Sequence, residues 1–144
     1  ISTDHLYSNS NEYATENDVP VHCNNWYGYT KLLGDAHVQL KADDYAVIRT
    51  THKKTPYQHS HAWQDQIGNF DYVDKIGKLI IELINTNPQG IYNIGTETKT
   101  MYQLAKATSE AVRPNFVKEG SSTPTDVTMN TSKMIWRISE SSYE

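Results

Sequence analysis

The amino-acid sequence predicts an α/β fold with a mainly parallel sheet. Three observations carry that expectation. Strand-like and helix-like segments alternate along the chain; the clearest helical pattern, 71–87, lies between strand-like runs at 45–49 and 90–95; and those runs are short and β-rich, as sheet strands are. No internal repeat or low-complexity tract interrupts the alternation.

The elements follow in order. Residues 1–24 are polar and turn-rich, with Ser8-Asn9-Ser10-Asn11-Glu12 and then Pro20, and read as a long loop after the end of a strand. Asn24 or Asn25 can cap a helix from about Trp26 to Lys41, along which Tyr27, Leu32, Leu33, Ala36 and Leu40 form an incomplete apolar stripe. Gly28 and Gly34 weaken that helix by about 1 kcal/mol each relative to Ala, which points to close approach at its surface. Tyr45-Ala46-Val47-Ile48-Arg49 has the composition of a buried strand. From Thr50 to Phe70 the chain is polar and shows no clean period, so a loop is expected. Val73, Ile76, Ile80, Leu83 and Ile84 recur at three- and four-residue spacing, with an acidic first turn and Pro88 beyond the end, and make the most secure helix. Gly90-Ile91-Tyr92-Asn93-Ile94-Gly95 alternates as a strand should. Thr98 or Thr100 caps a helix expected to reach Val112 before Pro114 stops it. Phe116-Val117 suggests a short edge strand, 121–125 a linking loop, and 131–138 a final weak helix.

Composition narrows the function. The 144 residues are 37% hydrophobic and 21% charged with a net charge of −4, and mean hydropathy is −0.68. The longest apolar run, Leu79-Ile80-Ile81-Glu82-Leu83-Ile84, is far short of a membrane span and is cut by a glutamate, so no membrane role is expected. The 13 Lys and Arg are outnumbered by 17 Asp and Glu and form no basic stripe, which speaks against nucleic acid as a partner. The single cysteine, Cys23, cannot pair internally; that fits a reducing compartment, and a cytoplasmic protein is expected. The chain opens Ile1-Ser2-Thr3-Asp4 with neither an initiator Met nor a signal sequence and reads as part of a longer protein.

Chemistry concentrates at the start of the first helix. Tyr27 and Lys31 stand four residues apart, so they share one helical face about a turn apart. An ordinary phenol titrates near ~10, so a tyrosine that moves protons at neutral pH needs roughly 4 kcal/mol of electrostatic help, part of which a cation one turn away can supply. Ser2-Thr3-Asp4, at the end of the presumed strand, adds a hydroxyl that could bind a carbonyl oxygen. Taken alone, Tyr-x-x-x-Lys equally describes an exposed surface pair.

Larger patterns add to this pair. Ser2-Thr3-Asp4-His5-Leu6-Tyr7, then Tyr13-x-x-Glu16-x-Asp18-x-Pro20, then Asn25-Trp26-Tyr27-Gly28-Tyr29-Thr30-Lys31-Leu32-Leu33-Gly34-Asp35 resemble the middle of an extended short-chain dehydrogenase/reductase, specifically the dTDP-4-dehydrorhamnose reductase branch. Val47-Ile48-Arg49-Thr50 resembles that family's sixth strand, Gly90 to Gly95 a late strand, and Pro124-x-Asp126-Val127-x-Met129-Asn130-Thr131-Ser132-Lys133 its substrate loop. Several ordered motifs are more specific than any one.

The resemblance implies the C-terminal part of a Rossmann-like doubly wound parallel sheet plus a small substrate-binding subdomain. Residues 1–50 would end the dinucleotide-binding fold with its catalytic helix, and 51–144 would form a mixed substrate-binding region with the remaining strands and helices. Tyr27 would protonate the substrate carbonyl oxygen. Lys31 would favour the phenolate of Tyr27 and hydrogen-bond the nicotinamide ribose, so that Tyr27 and Lys31 together form the cofactor-binding set; Thr3 would hold the carbonyl oxygen, and Asp4 would lie beside it in the substrate site. The implied cofactor is NADPH or NADH, the substrate a 4-keto-6-deoxy nucleotide sugar in surface-polysaccharide synthesis, and a homodimer is an allowed assembly. Two other functions share the pattern: a non-catalytic binding subunit like the regulatory subunit of methionine adenosyltransferase, and a nucleotide-sugar 4-epimerase. The dehydratase branch places a glutamate after Ser-Thr-Asp, whereas this chain has His5, so reduction is favoured over water elimination. The Gly-x-x-Gly-x-x-Gly motif that would hold the pyrophosphate is absent from the sequence, so these residues by themselves are expected to lack reductase activity.

Remaining polar residues have simpler readings. His59-Ser60-His61, with His52, could suggest a metal, but Cys23 is distant and no acidic ligand has helical or hairpin spacing, so a solvated loop is expected and no metal site. Asp71-Tyr72-Val73-Asp74 fits either an active-site rim or acidic bias at a helix start. Asn130-Thr131-Ser132 reads as a polar loop, Trp63 and Trp136 as packing residues, and Cys23 as inert; Lys133 and Arg113 could meet a diphosphate, since paired cations suit phosphate oxygens, with surface charge as the default reading.

Overall fold

A computed structural model describes residues 1–8, 12–18, 20 and 25–141. Cys23, Asn24 and the Asn9–Asn11 part of the turn-rich stretch lie outside the described residues. The described elements, after a 3-10 turn at Asp4–Tyr7, are α1 (Trp26–Lys41), β1 (Ala46–Arg49), β2 (His52–Lys53), β3 (His61–Trp63), β4 (Ile67–Gly68), β5 (Asp71–Tyr72), α2 (Val73–Ile84), β6 (Gly90–Asn93), β7 (Lys99–Thr100), α3 (Met101–Lys106), β8 (Arg113–Asn115), β9 (Asp126–Val127) and α4 (Ser132–Ser141).

The parallel sheet is centred on β1. Its residues pair in parallel with β6 from Ala46↔Gly90 to Arg49↔Asn93, and Ser2 forms a parallel bridge to Arg49 on the other side. Gly90 enters β6 with φ +91, a conformation that an L side chain rarely adopts. Alternation along β1 then divides the helices between two faces. Ile48 packs with Ile76, Leu83, Tyr92, Ile94 and Met134, which places α2 and α4 on one face. Arg49 points the other way and meets Asp35 of α1. Helices on both faces of a parallel sheet are the arrangement that the sequence predicted.

A second layer of short strands covers a separate core of Tyr57, Phe70, Tyr72, Leu104 and Val127. Here β2 pairs with β5, β3 with β8, and β4 lies between β7 and β9. The expectation of a plain loop over 50–70 is corrected by these pairings. Two- and three-residue strands have no local period, and distant partners hold them in place. Pro114 fits β8 because, among the described residues, that strand pairs with β3 alone.

Local chemistry sets the helix ends. Asn25 caps α1, its Oδ1 accepting from Gly28 N at 2.9 Å. Thr100 and Gln103 form a reciprocal capping box on α3. That helix ends at Lys106 rather than near Val112, because Thr108 turns to accept the Tyr57 N–H at 3.1 Å and to bond the Tyr72 hydroxyl. The edge strand falls on Arg113–Asn115 instead of Phe116-Val117, whose Val117 N–H goes to the Asp65 carboxylate. At Gly95 a Cβ would stand 2.5 Å from the Asn69 carbonyl oxygen, so this crossing of two loops needs glycine.

Two buried carboxylates anchor the layers. Asp35 Oδ2 lies 3.1 Å from Arg49 Nε, with both side chains almost fully buried. Asp71 is buried, which pushes its carboxyl up. The Tyr72 N–H and Thr96 hydroxyl, both at 2.8 Å, with the Lys99 and Lys75 ammoniums, outweigh burial and hold it below the usual carboxylate range.

Breaking one side of the first pair strands a buried cation, so Asp35→Asn is expected to cost about 3–5 kcal/mol in urea unfolding at neutral pH. For Asp71 the lowered folded-state value makes its stabilisation complete above the unfolded value of ~3.9, and it is lost as pH falls through the folded one. Asp71→Asn should therefore cost roughly 1–3 kcal/mol at pH ~7 and much less near pH ~2, measured by chemical denaturation at both.

Candidate active site

Tyr27 and Lys31 lie on the first two turns of α1, next to the 3-10 turn at Asp4–Tyr7. The Tyr27 ring is half exposed, at 52%, and the His5 ring meets it edge-on with centroids 5.8 Å apart. Lys31 Nζ stands 5.9 Å from the centre of the Tyr27 ring and donates to the Ile1 carbonyl at 3.4 Å. The ammonium is therefore tied to the segment that bridges β1 as well as to its own helix. Gly28, between them, is buried.

Thr3 and Asp4 are buried behind this surface. The Thr3 hydroxyl donates to Asp4 Oδ1 at 3.4 Å and accepts the His5 N–H at 3.3 Å, capping the 3-10 turn. Asp4 Oδ1 also accepts from the Thr51 hydroxyl, while Oδ2 has no hydrogen-bond partner among the described residues. Burial pushes the Asp4 carboxyl above the usual range, against the opposing pull of His5, Thr51, Thr3 and Lys53. An orphaned oxygen on a buried carboxyl that resists ionisation marks a place where a polar partner is missing.

The structure sets the four sequence candidates in two neighbouring pairs, Thr3 with Asp4 and Tyr27 with Lys31, and His5 joins the pairs. Thr3 and Asp4 follow the Ser2–Arg49 bridge at the carboxyl end of the parallel strands, where open α/β sheets bind ligands. Tyr27 and Lys31 face that end from α1, with His5 linking the two groups. Among the described residues no hydrogen bond joins the Thr3 hydroxyl to Tyr27. The phenol and ammonium, on one accessible helical face, are a donor set that suits a ribose and a carbonyl oxygen.

Two contributors were missed from sequence. Thr51 and Lys53 bear on Asp4 from a segment read as loop, and only the β1–β2 connection brings them near. No local signal could have found them. Among the described residues no group of three or more His, Cys, Asp or Glu side chains could hold a metal ion. Asp71 serves as a buried anchor. Trp63 packs on the second core, whereas Trp136 is 60% exposed. Lys133 Nζ lies 4.2 Å from the centre of the Tyr92 ring and donates to the Ile91 carbonyl.

No protein-family model matches the chain. It is 26% identical over 126 residues, covering 76% of this chain and 44% of the relative, to the spore coat polysaccharide biosynthesis protein SpsK of Bacillus subtilis. A hypothetical dTDP-4-dehydrorhamnose reductase from Sulfolobus tokodaii superposes with a TM-score of 0.73 at 23% identity, over 94% of this chain and 56% of that one. The dTDP-4-dehydrorhamnose reductase of Bacillus anthracis, solved in complex with NADP, gives 0.73 at 22% identity over the same shares. The chain spans about half the length of the proteins it matches. Among the described residues no helix is long and apolar enough to cross a membrane. The chain has the mixed α/β fold of the dTDP-4-dehydrorhamnose reductases.

Proposed function

We propose that this chain carries the proton-donating and substrate-binding part of a nucleotide-sugar reductase that reduces a 4-keto-6-deoxy sugar nucleotide with NADPH or NADH. The observation that carries the proposal is the placement of Tyr27 and Lys31 on one accessible face of α1, against a turn that buries Thr3 and Asp4. When bound, the dinucleotide supplies the hydride that reduces the carbonyl carbon.

Everything else falls to the protein. The Tyr27 hydroxyl gives its proton to the carbonyl oxygen as that atom gains charge. Lys31 stabilises the charge left on the phenol and offers N–H donors to the nicotinamide ribose. Thr3 holds the carbonyl oxygen once its hydroxyl turns from the long 3.4 Å contact with Asp4. Asp4, held by Thr51 and short of a partner at Oδ2, bonds a sugar hydroxyl. His5 follows Asp4 where a second carboxylate would be needed for elimination, which supports reduction. With one cysteine and no internal disulfide, the protein suits the cytoplasm.

In the complete gene product, Tyr27→Phe should lower kcat at least ~100-fold while leaving NAD(P)H affinity within about twofold, measured by nicotinamide absorbance and by fluorescence titration. Unchanged turnover would reject the assignment. Lys31→Met should lower kcat and also weaken cofactor binding by about tenfold, because it loses both a nearby cation and a charge-assisted donor.

A further inference from the structure

Asp4 is a fully buried carboxyl with an uneven set of partners. Its Oδ1 takes the hydroxyls of Thr51 and Thr3, while Oδ2 has none among the described residues. A carboxylate in such a place is costly unless donors or cations compensate it. The Thr3 bond is long, at 3.4 Å, and the same hydroxyl caps the 3-10 turn and leaves Asp4 for the carbonyl oxygen in the proposed reaction. What then holds Asp4 comes from outside its own turn.

That support is the run that leaves β1. Ser2 bridges Arg49 in parallel, so two residues further along each strand Asp4 comes beside Thr51. Thr51 is mounted between paired residues: Arg49 pairs with Asn93 of β6, and His52 with Asp71 of β5. Extended chain sends alternate side chains to the same side. Thr51 and Lys53 accordingly line one cavity of about 400 Å³ together with His5, whereas His52, between them, lines a second of about 470 Å³. Among the described residues the Lys53 ammonium makes no ion pair. Burial pushes the Asp4 carboxyl up, and His5, the Thr51 and Thr3 hydroxyls and Lys53 pull the other way.

The remaining titratable groups around the turn have contacts of their own. Tyr7 is bound to Arg49 and Asn93, and Asp126 of β9, which packs on the turn, accepts the Thr128 N–H and hydroxyl. On α1, the Tyr27 ring meets His5 and Lys31 donates to the Ile1 carbonyl. His59 and His61 line the same cavity as His5.

We infer that the run from Thr51 to Lys53 sets the charge of Asp4: the Thr51 hydroxyl by direct contact and the Lys53 ammonium through its field act as positioning residues that keep the buried carboxyl an acceptor for the substrate. Their part in turnover rests on the reductase reading; their action on Asp4 itself does not. A donor or a cation beside a carboxylate favours the ionised form, so loss of either moves protonation of Asp4 to higher pH. The two contributions differ in their response to salt. The screening length falls from about 30 Å at ~0.01 M to about 3 Å at ~1 M, which weakens a field but leaves a direct hydrogen bond in place.

Carbon-13 NMR of the aspartate carboxyls in the complete gene product, with the Asp4 signal identified by its loss in Asp4→Asn, reads that charge directly. Thr51→Val should raise the Asp4 midpoint by about one pH unit or more, equally at ~0.01 M and ~1 M salt, and Thr51→Ser should restore it. Thr51→Ala gives the same reading should valine not be tolerated at this half-buried position. Lys53→Met should raise the midpoint at ~0.01 M salt and by less than half as much at ~1 M. In turnover of a 4-keto sugar nucleotide, Thr51→Val should raise KM about tenfold with kcat within about threefold, and Thr51→Ser should again restore it. Asp4 titrating as in wild type in either hydroxyl-free or Lys53→Met protein would overturn the inference, as would a moved midpoint with KM unchanged. Wild-type protein that turns over no keto-sugar nucleotide would instead overturn the reductase reading, and the NMR titration, which needs no turnover, would still decide whether Thr51 and Lys53 set the charge.

Discussion

A buried arginine holds the parts of this protein in register. Arg49, 2% exposed, closes the last residue of β1 with an ion pair to Asp35 of α1 and a 2.8 Å hydrogen bond to the Tyr7 hydroxyl, over whose ring its guanidinium lies. Burial pushes the Tyr7 phenol up in spite of that contact, so it stays a neutral donor to Asn93 Oδ1 at 2.8 Å. Asn93 in turn donates to the carbonyls of Ala14 and Asn130. One charge thus joins α1, the 3-10 turn, both central strands and the two loops that flank them. Desolvating a guanidinium is costly, and the arrangement is stable only because its partners are themselves fixed.

The network explains how α1 keeps its place with little apolar packing. Gly28 and Asp35 are its buried residues, while Trp26, Leu33 and Leu40 remain largely exposed. The Asp35–Arg49 ion pair, the Asn25 cap and the Lys31 contact to the Ile1 carbonyl hold the helix with its first turns beside the sheet end. That is where Tyr27 and Lys31 lie. In the proposed reaction, proton transfer depends on heavy-atom distances within hydrogen-bond reach, and the buried clamp would set them for the accessible phenol. The second layer contributes differently: its short strands bring Thr51 and Lys53 beside Asp4 and form the walls of the two cavities.

The helices and the main strands were legible in sequence because their signals are local. The spacing of Val73, Ile76, Ile80, Leu83 and Ile84 and the capping residues Asn25 and Thr100 act within a few residues, and each appears in the structure where its pattern placed it, within a turn. The loop expected over 50–70 failed for the opposite reason. β2, β3 and β4 are held by partners 19 to 59 residues away, and nothing within their own two or three residues announces them.

What the sequence by itself determined was the alternation of elements and the shared helical face of Tyr27 and Lys31, both consequences of backbone periodicity. Tertiary structure alone decided which polar residues are buried. Arg49 reads as an ordinary strand end and Asp35 as a surface helix residue until the sheet places one over the other. It also decided that His5 lines one cavity with Lys53 and His59, which are distant from it in the chain. Burial and charge pairing are properties of the assembled neighbourhood, set by long-range contacts that no short window of sequence contains.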